Sequence, residues 1–243
     1  MPGMLSWEQM DWLFPDFEDT GLIYHGTTVE NVRSIFLRGL VPRGKPDPED
    51  KHDTIYDSLY GHRPDCIPDW VDPRNCIFGY LNRKRYERDK VAGATASGAV
   101  LGLKAEKWIT DRVWVGNTAF SDWVYCPEEA GYFDTPERER YYRRVLEPTA
   151  AAAYWRTSLS FEENLKIRHD HLLPTQGHME LLICIERVPP SLLSLQALTV
   201  TGSDGRAAVL RDQCPDLFQK AESKLRDGQE PCAEFHLIAE RTS

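Results

Sequence analysis

The chain has 243 residues and a formal net charge of -9, a size that suits one domain or one domain with an insertion. Its 41% of hydrophobic and 11% of aromatic residues are enough for a folded core, which excludes a disordered chain. The acidic balance excludes a chain-wide basic surface for nucleic acid. Two local basic clusters, at 83–90 and 138–144, are expected to be solvated helix faces, with a local basic groove as the alternative.

The cysteines and the N-terminal segment indicate a reduced, cytoplasmic environment. The six cysteines are widely spaced and form no Cys-x-x-Cys pair, which argues against a zinc ribbon. Residues 1–12 lack the apolar stretch of a secretory signal, and the longest apolar run, at 181–185, is too short to span a bilayer. We therefore expect a cytoplasmic protein with no membrane partner, although a protein delivered by a dedicated secretion apparatus would have the same features.

The first predicted elements are a strand and a punctuated helix within residues 20–41. The apolar run from Gly21 to His25 predicts a strand. Thr27 can serve as the N-cap of the next helix, with Glu30 as its capping-box partner. Apolar residues recur at 29, 32, 35 and 36, and Gly39 has the position of a C′ glycine. This segment is typical of a strand, a sharp turn, a helix and a second turn.

The remaining predicted elements are further strands and helices in mixed order. Residues 42–75, rich in Pro, Asp and Gly, predict a long loop with at most one helical turn. Strands are predicted at 75–81, 99–104, 113–116, 180–186, 195–201 and 233–239, and helices at 82–90, 136–147, 149–167 (after a break at Pro148) and within 205–226. This order predicts an α+β or mixed α/β fold rather than a doubly wound one. Neither a dinucleotide-binding fingerprint nor a P-loop is present.

The junction between the first strand and helix carries the first candidate site. Gly26 lets a ligand approach the backbone closely, and the adjacent His25 offers a hydrogen-bond donor, although a structural turn with a surface histidine is the simpler interpretation. The run Tyr24-His25-Gly26-Thr27 resembles the first motif of the ADP-ribosyltransferase superfamily, especially its poly- and mono-ADP-ribosyl branch. The resemblance implies that the Gly26 backbone binds the nicotinamide amide of NAD, that His25 contacts the ribose of the adenosine end, and that Thr27 completes the motif.

The segment from Asn75 to Leu81, with the charged stretch and the strand after it, resembles the second motif of that superfamily. The resemblance implies that Phe78 takes the place of the first aromatic residue of the motif, with Tyr80 two positions further on. A second aromatic residue in the following helix stacks on nicotinamide in the family, and Tyr86 is the nearest candidate. The alternative for Phe78 is a plain core position.

The third motif surrounds Glu180, which opens the apolar run Leu181-Leu182-Ile183. A carboxylate there is costly if buried, so Glu180 should lie at a strand end or have a partner. The resemblance implies that Glu180 is the catalytic carboxylate. It also places His178 where many relatives carry a Glu or Gln that engages the target, so His178 could orient or deprotonate a target group; a plain loop histidine is the alternative. His169 and His171 have no cysteine nearby, and no metal site is predicted.

Taken together, the motifs predict an NAD-dependent ADP-ribosyltransferase, a glycosyltransferase that uses NAD as a substrate. The resemblance implies an ADP-ribosyltransferase-like split β-sheet core with peripheral helices, in a single domain of residues 1–243 with its core at about 20–201 and an unassigned extension at 202–243. The acceptor is a macromolecule, with a base of DNA or RNA as a candidate.

Residues 114–122 resemble a segment of the DNA-targeting toxins of this superfamily, so an antitoxin or immunity protein is a candidate partner. Two alternatives stay open. One is an RNA 2′-phosphotransferase that uses NAD, and the other is a non-catalytic module that binds ADP-ribose or nucleic acid.

Overall fold

The computed structural model describes residues 20–42, 51–81, 98–117, 134–170, 179–202 and 205–240. They form two compact units, each with helices and a four-stranded sheet, which confirms the α+β class. The first unit takes its residues from Met1–Leu40, Gly79–Ala105 and Arg187–Ser243, and the second from Val41–Phe78 and Glu106–Glu186. No helix of the described segments is long and apolar enough to cross a membrane.

The helices and strands follow one another in mixed order along the chain. They are β1 (Leu22–Thr27), α1 (Val29–Arg38), α2 (Lys51–Gly61), β2 (Ile77–Gly79), β3 (Ala99–Lys104), α3 (Lys107–Thr110), β4 (Val113–Asn117), α4 (Pro136–Tyr141), α5 (Glu147–Thr157), β5 (Leu159–Ser160), α6 (Phe161–Asp170), β6 (Met179–Ile183), β7 (Leu193–Gly202), β8 (Gly205–Leu210), α7 (Pro215–Arg226) and α8 (Cys232–Glu240). A π-helical turn, Tyr142–Leu146, joins α4 to α5, and 3₁₀ turns at Pro190–Leu192 and Arg211–Gln213 precede β7 and α7.

The sheet of the first unit has the order β1-β3-β7-β8, with every neighbouring pair antiparallel. Helices α7 and α8 pack on β7, and α7 also packs on α1. The inner face of α7 carries Phe218, Ala221 and Leu225, all buried. This spacing places the three side chains on one face of a helix, and burying each large side chain contributes about 1.5–3 kcal/mol.

Helix α1 begins one residue later than the sequence pattern predicts. Strand β1 continues through Thr27, so Thr28 is the N-cap, and its side chain makes no capping hydrogen bond. The predicted capping box is therefore wrong. The predicted C-terminal glycine is confirmed: Gly39 has a φ of 89°, and its N–H donates to the carbonyl of Ile35 at 2.8 Å. Only glycine adopts this conformation readily.

The sheet of the second unit has the order β2-β6-β4-β5, and β4 pairs antiparallel with both β5 and β6. Helices α2 and α5 are linked by a hydrogen bond from the Ser58 hydroxyl to the Glu147 carboxylate. The indole N–H of Trp155 donates to the carbonyl of Leu59 at 2.8 Å, so a large apolar ring is buried without an unpaired donor. Buried members of this core include Leu59, Val71, Cys76, Trp114, Ala151, Tyr154, Trp155 and Leu182.

Several predicted elements are wrong or lie elsewhere. The predicted helix 149–167 is interrupted, because Ser158 is extended and β5 pairs with β4 before α6 begins. Pro148 does not end the helical run; it is the second residue of α5, directly after the π-helical turn Tyr142–Leu146. The predicted loop 42–75 contains α2, and the predicted strand 233–239 is helix α8. The predicted helix 82–90 lies outside the described residues.

Candidate functional site

The His-Gly-Thr motif forms the end of β1 in the first unit. His25, Gly26 and Thr27 are half-buried and pair in register with Leu101, Val100 and Ala99 of β3. The preceding Tyr24 is fully buried, and its hydroxyl lies 3.1 Å from the Thr20 hydroxyl. The strand therefore fixes the backbone of the motif, while the motif residues themselves keep partial access to solvent.

The backbone N–H and C=O of Gly26 point to the outer edge of β1, which is the edge that does not pair with β3. Tyr24 and Tyr80 exchange two backbone hydrogen bonds of 2.8 Å across this edge. Because the backbone groups of a strand alternate in direction, the N–H and C=O of Gly26 point to the same side as those of Tyr24, away from β3. Among the described residues, no hydrogen bond to Gly26 is formed on that side. The structure thus brings Gly26 and Tyr80 to one sheet edge, where a donor and an acceptor face outward.

Two of the predicted aromatic residues have different surroundings. Tyr80 extends the first unit's sheet by its bridge to Tyr24. Phe78 is the middle residue of β2 and packs against the core of the second unit, with its ring centroid 4.7 Å from that of Tyr56. Its side chain is only partly buried there. Tyr86, like His178, lies outside the described residues.

Glu180 is the second residue of β6 and is only 4% exposed. Its Oε1 accepts a hydrogen bond of 3.0 Å from the hydroxyl of Tyr154, which is fully buried on α5. Burial and the nearby Glu180 carboxylate raise the pKa of Tyr154 well above its usual value, so the hydroxyl stays protonated and donates. The carboxylate thus lies near a strand end and also has a partner, as its place before an apolar run demands.

Gly116 lies directly opposite Glu180, since the two are register partners on β4 and β6. Side chains of directly opposed residues lie on the same face of an antiparallel pair. Gly116 has none, and the Tyr154 hydroxyl occupies that space: a Cβ at position 116 would lie 2.0 Å from the Tyr154 oxygen. The glycine is therefore what allows the tyrosine to reach the carboxylate.

Two thiols lie at the other end of β6. Cys184 follows the strand and its Sγ lies 4.0 Å from the carbonyl of Asp72, while the Sγ of Cys76 lies 3.5 Å from the carbonyl of Pro73. Burial raises the pKa of the Cys76 thiol well above its usual value, and its hydrogen bond to Cys184 lowers the pKa of the Cys184 thiol. At neutral pH the buried Cys76 is therefore a neutral core residue.

The basic cluster at 138–144 lies on α4 and the π-helical turn. Arg138 pairs with Asp134 at 3.2 Å and Arg143 with Glu139 at 2.9 Å, and all four side chains are solvent-exposed. Such pairs contribute about 0–1 kcal/mol. This cluster is a solvated helix face; the cluster at 83–90 lies outside the described residues.

Tyr154 and Gly116 are the residues of this site that the sequence interpretation missed. Tyr154 follows four alanines in a helix, and nothing in that pattern points to a strand 26 residues later. Gly116 did give a signal, because a glycine inside an apolar strand often marks the close approach of another group. Within the described segments, no group of three or more His, Cys, Asp or Glu side chains could hold a metal ion.

The chain was compared with known proteins at three levels. No protein-family model matches it, and neither a curated protein nor a solved structure gives a significant match.

Proposed function

We propose that the protein is an NAD-dependent ADP-ribosyltransferase with the split-sheet core of that superfamily. It would transfer ADP-ribose from NAD to a macromolecular acceptor and release nicotinamide, with a nucleic-acid base as the candidate acceptor. The observation that carries the proposal is the buried carboxylate of Glu180, at the position that the third motif assigns to the catalytic residue.

A buried carboxylate is an expensive structural element. Removing a charge from water costs several kcal/mol unless pairing compensates for it. One oxygen of this carboxylate accepts a hydrogen bond from the hydroxyl of Tyr154, which a glutamine could accept as well. A negative charge held at this place is suited to chemistry in which a positive charge develops on a substrate.

Cleavage of NAD has that requirement. The bond between the nicotinamide nitrogen and C1′ of its ribose breaks, and the bonding electron pair leaves with nicotinamide, which becomes neutral. The ribose acquires oxocarbenium character, as in glycoside hydrolysis. A nucleophilic nitrogen or oxygen of the acceptor then forms a bond to C1′ and loses its proton to solvent. A fixed carboxylate next to the ribose stabilises the cationic transition state.

The edge of β1 supports binding of the leaving group. A carboxamide has one carbonyl acceptor and an NH₂ donor, and the outward-facing N–H and C=O of Gly26 complement this pair. Binding through the backbone needs a residue without a side chain that would block the approach. His25 would contact the ribose at the adenosine end, as the motif implies.

The test is transfer of label from NAD that is labelled in its adenosine part. Wild-type protein is incubated in parallel with DNA, RNA and whole lysate, and labelled acceptor and free nicotinamide are both quantified. We expect Glu180→Gln to reduce the rate by at least about 100-fold, the scale of losing one electrostatic stabiliser. Glu186→Gln is the matched control, because Glu186 is exposed shortly after the same strand; it should retain the wild-type rate.

The outcomes separate the candidate functions. Equal labelling by the wild type and by Glu180→Gln would contradict the catalytic assignment. Release of a cyclic phosphate from 2′-phosphorylated RNA would favour the RNA 2′-phosphotransferase. Binding of NAD with no release of nicotinamide and no labelled acceptor would favour the non-catalytic module.

A further inference from the structure

The buried pair of Tyr154 and Glu180 connects a helix to a strand inside the second unit. The hydroxyl of Tyr154 on α5 donates to Oε1 of Glu180 on β6 at 3.0 Å, and both side chains are almost completely buried. A carboxylate on a glutamate side chain has three rotatable bonds, so its oxygens are not fixed by the strand alone. The hydrogen bond fixes one of them.

The tyrosine itself is held rigidly. Its ring lies edge-on to that of Trp155, with centroids 5.2 Å apart and planes at 88°. The Trp155 indole is bonded to the Leu59 carbonyl, and Trp114 donates to the Ser158 hydroxyl at 2.8 Å. The end of α5 is thus attached to α2 and β4, and a tight apolar core surrounds the ring.

Strand β4, which pairs with β6, leaves room for this contact. Gly116 is the register partner of Glu180, and a Cβ on it would lie 2.0 Å from the Tyr154 oxygen and 2.5 Å from the carbon that bears it. Strand β4 therefore has no side chain at the one place where it would separate the hydroxyl from the carboxylate. Strand β4 and helix α5, which are distant in sequence, both contribute to this contact.

We infer that Tyr154 is a positioning residue for Glu180, and that Gly116 provides the space through which its hydroxyl reaches the carboxylate. The inference rests on the proposed function, in which the Glu180 carboxylate must be placed accurately beside the ribose of NAD. The tyrosine acts through the glutamate, so its loss should change the rate of the chemical step rather than the binding of NAD. A misplacement of about 1 Å can lower a rate about 100-fold.

The experiment measures nicotinamide release from NAD by Tyr154→Phe, which keeps the ring and removes only the hydroxyl. We expect kcat to fall about 10- to 100-fold while KM for NAD stays within about 3-fold, since loss of an interaction made only in the transition state lowers kcat without raising KM. In the Glu180→Gln background the same change should have little further effect, because residues that act as one unit are not additive.

Tyr142→Phe is the control for loss of a buried tyrosine hydroxyl, as Tyr142 is also buried in the same helical run; its kcat should match the wild type. Folding of each variant is checked by tryptophan fluorescence. If Tyr154→Phe does not fold, Glu180→Asp provides the second test, because it keeps the charge but shortens the side chain beyond reach of the hydroxyl.

The results distinguish the inference from the function on which it rests. If the wild type releases nicotinamide and folded Tyr154→Phe has the same kcat, the positioning role is overturned and the proposed function still stands. The same holds if Glu180→Asp retains the wild-type kcat. A parallel loss of kcat and rise in KM also overturns it. No nicotinamide release by the wild type overturns the proposed function and the inference together.

Discussion

Replacing Gly116 with alanine adds a single methyl group directly against the side chain of Tyr154. That carbon would lie 2.0 Å from the Tyr154 oxygen, 2.5 Å from Cζ and 2.9 Å from Cε2. Carbon atoms reach their optimal contact at about 3.5–4.0 Å, so the ring has to move by roughly 1 Å or more. Because the ring is fully buried against Trp155, it has no empty space to enter.

The cost in the free energy of unfolding follows from three effects. Overpacking of a dense core costs about 1–3 kcal/mol, and loss of a hydrogen bond to a charged acceptor, Glu180, costs about 1.5–3 kcal/mol. Alanine offsets about 0.5–1 kcal/mol of this cost, because glycine loses more backbone entropy on folding. We therefore expect Gly116→Ala to destabilise the protein by about 2–5 kcal/mol, a large share of the about 5–15 kcal/mol of a typical domain.

The assay is urea unfolding followed by tryptophan fluorescence, since Trp114 and Trp155 belong to the core beside this contact. Gly61→Ala is the matched control, because a Cβ there would meet no heavy atom within 4 Å; it should leave the free energy of unfolding unchanged or raise it by up to about 1 kcal/mol, since alanine loses less backbone entropy than glycine there too. In a Tyr154→Leu background the cost of Gly116→Ala should shrink, as expected for contacting residues. A cost below about 1 kcal/mol for Gly116→Ala in the wild-type background would refute the packing argument.

Two further predictions concern other buried groups. Glu222 on α7 accepts a hydrogen bond of 2.6 Å from the buried Leu195 N–H and pairs with Arg211. Glu222→Ala leaves this buried donor without its acceptor, so we expect the free energy of unfolding, measured in urea titrations, to fall by about 2–4 kcal/mol. Burial raises the pKa of Tyr142 to about 12, whereas the same hydroxyl ionises near pH 10 in the unfolded state. The free energy of unfolding should therefore fall as the pH rises from about 10 to about 12. Tyr142→Phe should weaken this fall in urea titrations at several pH values.

Each of these predictions has its own control. For Glu222, the control is Glu230→Ala, which removes an exposed pair with Arg33 and should cost under about 1 kcal/mol; equal losses for the two variants would contradict the burial argument. For Tyr142, the difference in the free energy of unfolding between the wild type and Tyr142→Phe should stay constant between pH 7 and 9. If their difference stays constant above pH about 10, the ionisation of Tyr142 does not contribute.

Local signals in the sequence predicted several elements in the first half of the chain well. The glycine at position 39 ended α1 as predicted, because a positive φ is a local requirement. Strands β3 and β4 were confirmed at nearly their predicted bounds, since short apolar runs bounded by polar residues have few alternatives. The N-cap was displaced by one residue because pairing of Thr27 with Ala99 extended β1.

Tertiary context decided the elements that local patterns misjudged. Residues 233–239 have an apolar run that suits a strand, yet α8 packs on α7 and β7. The helix predicted across 149–167 is interrupted because β4 offers a pairing edge to Leu159 and Ser160. The contact between Tyr154 and Glu180 could not be predicted, since it depends on a glycine in a third segment. The carboxylate before an apolar run predicted that Glu180 lies at a strand end or has a partner, and the resemblance to the third motif made it the catalytic candidate.

The order of the strands in the first unit has a consequence for synthesis of the chain. Strand β3 lies between β1 and β7, but β7 leaves the ribosome only after the helices and strands of the second unit that follow β3. The nascent chain therefore has an open sheet edge on β3 while the residues between Lys104 and Leu193 are synthesised, and such non-local pairings form slowly. A polypeptide cut short before β7 would expose this edge to other chains, so intact protein and partial products should differ sharply in solubility.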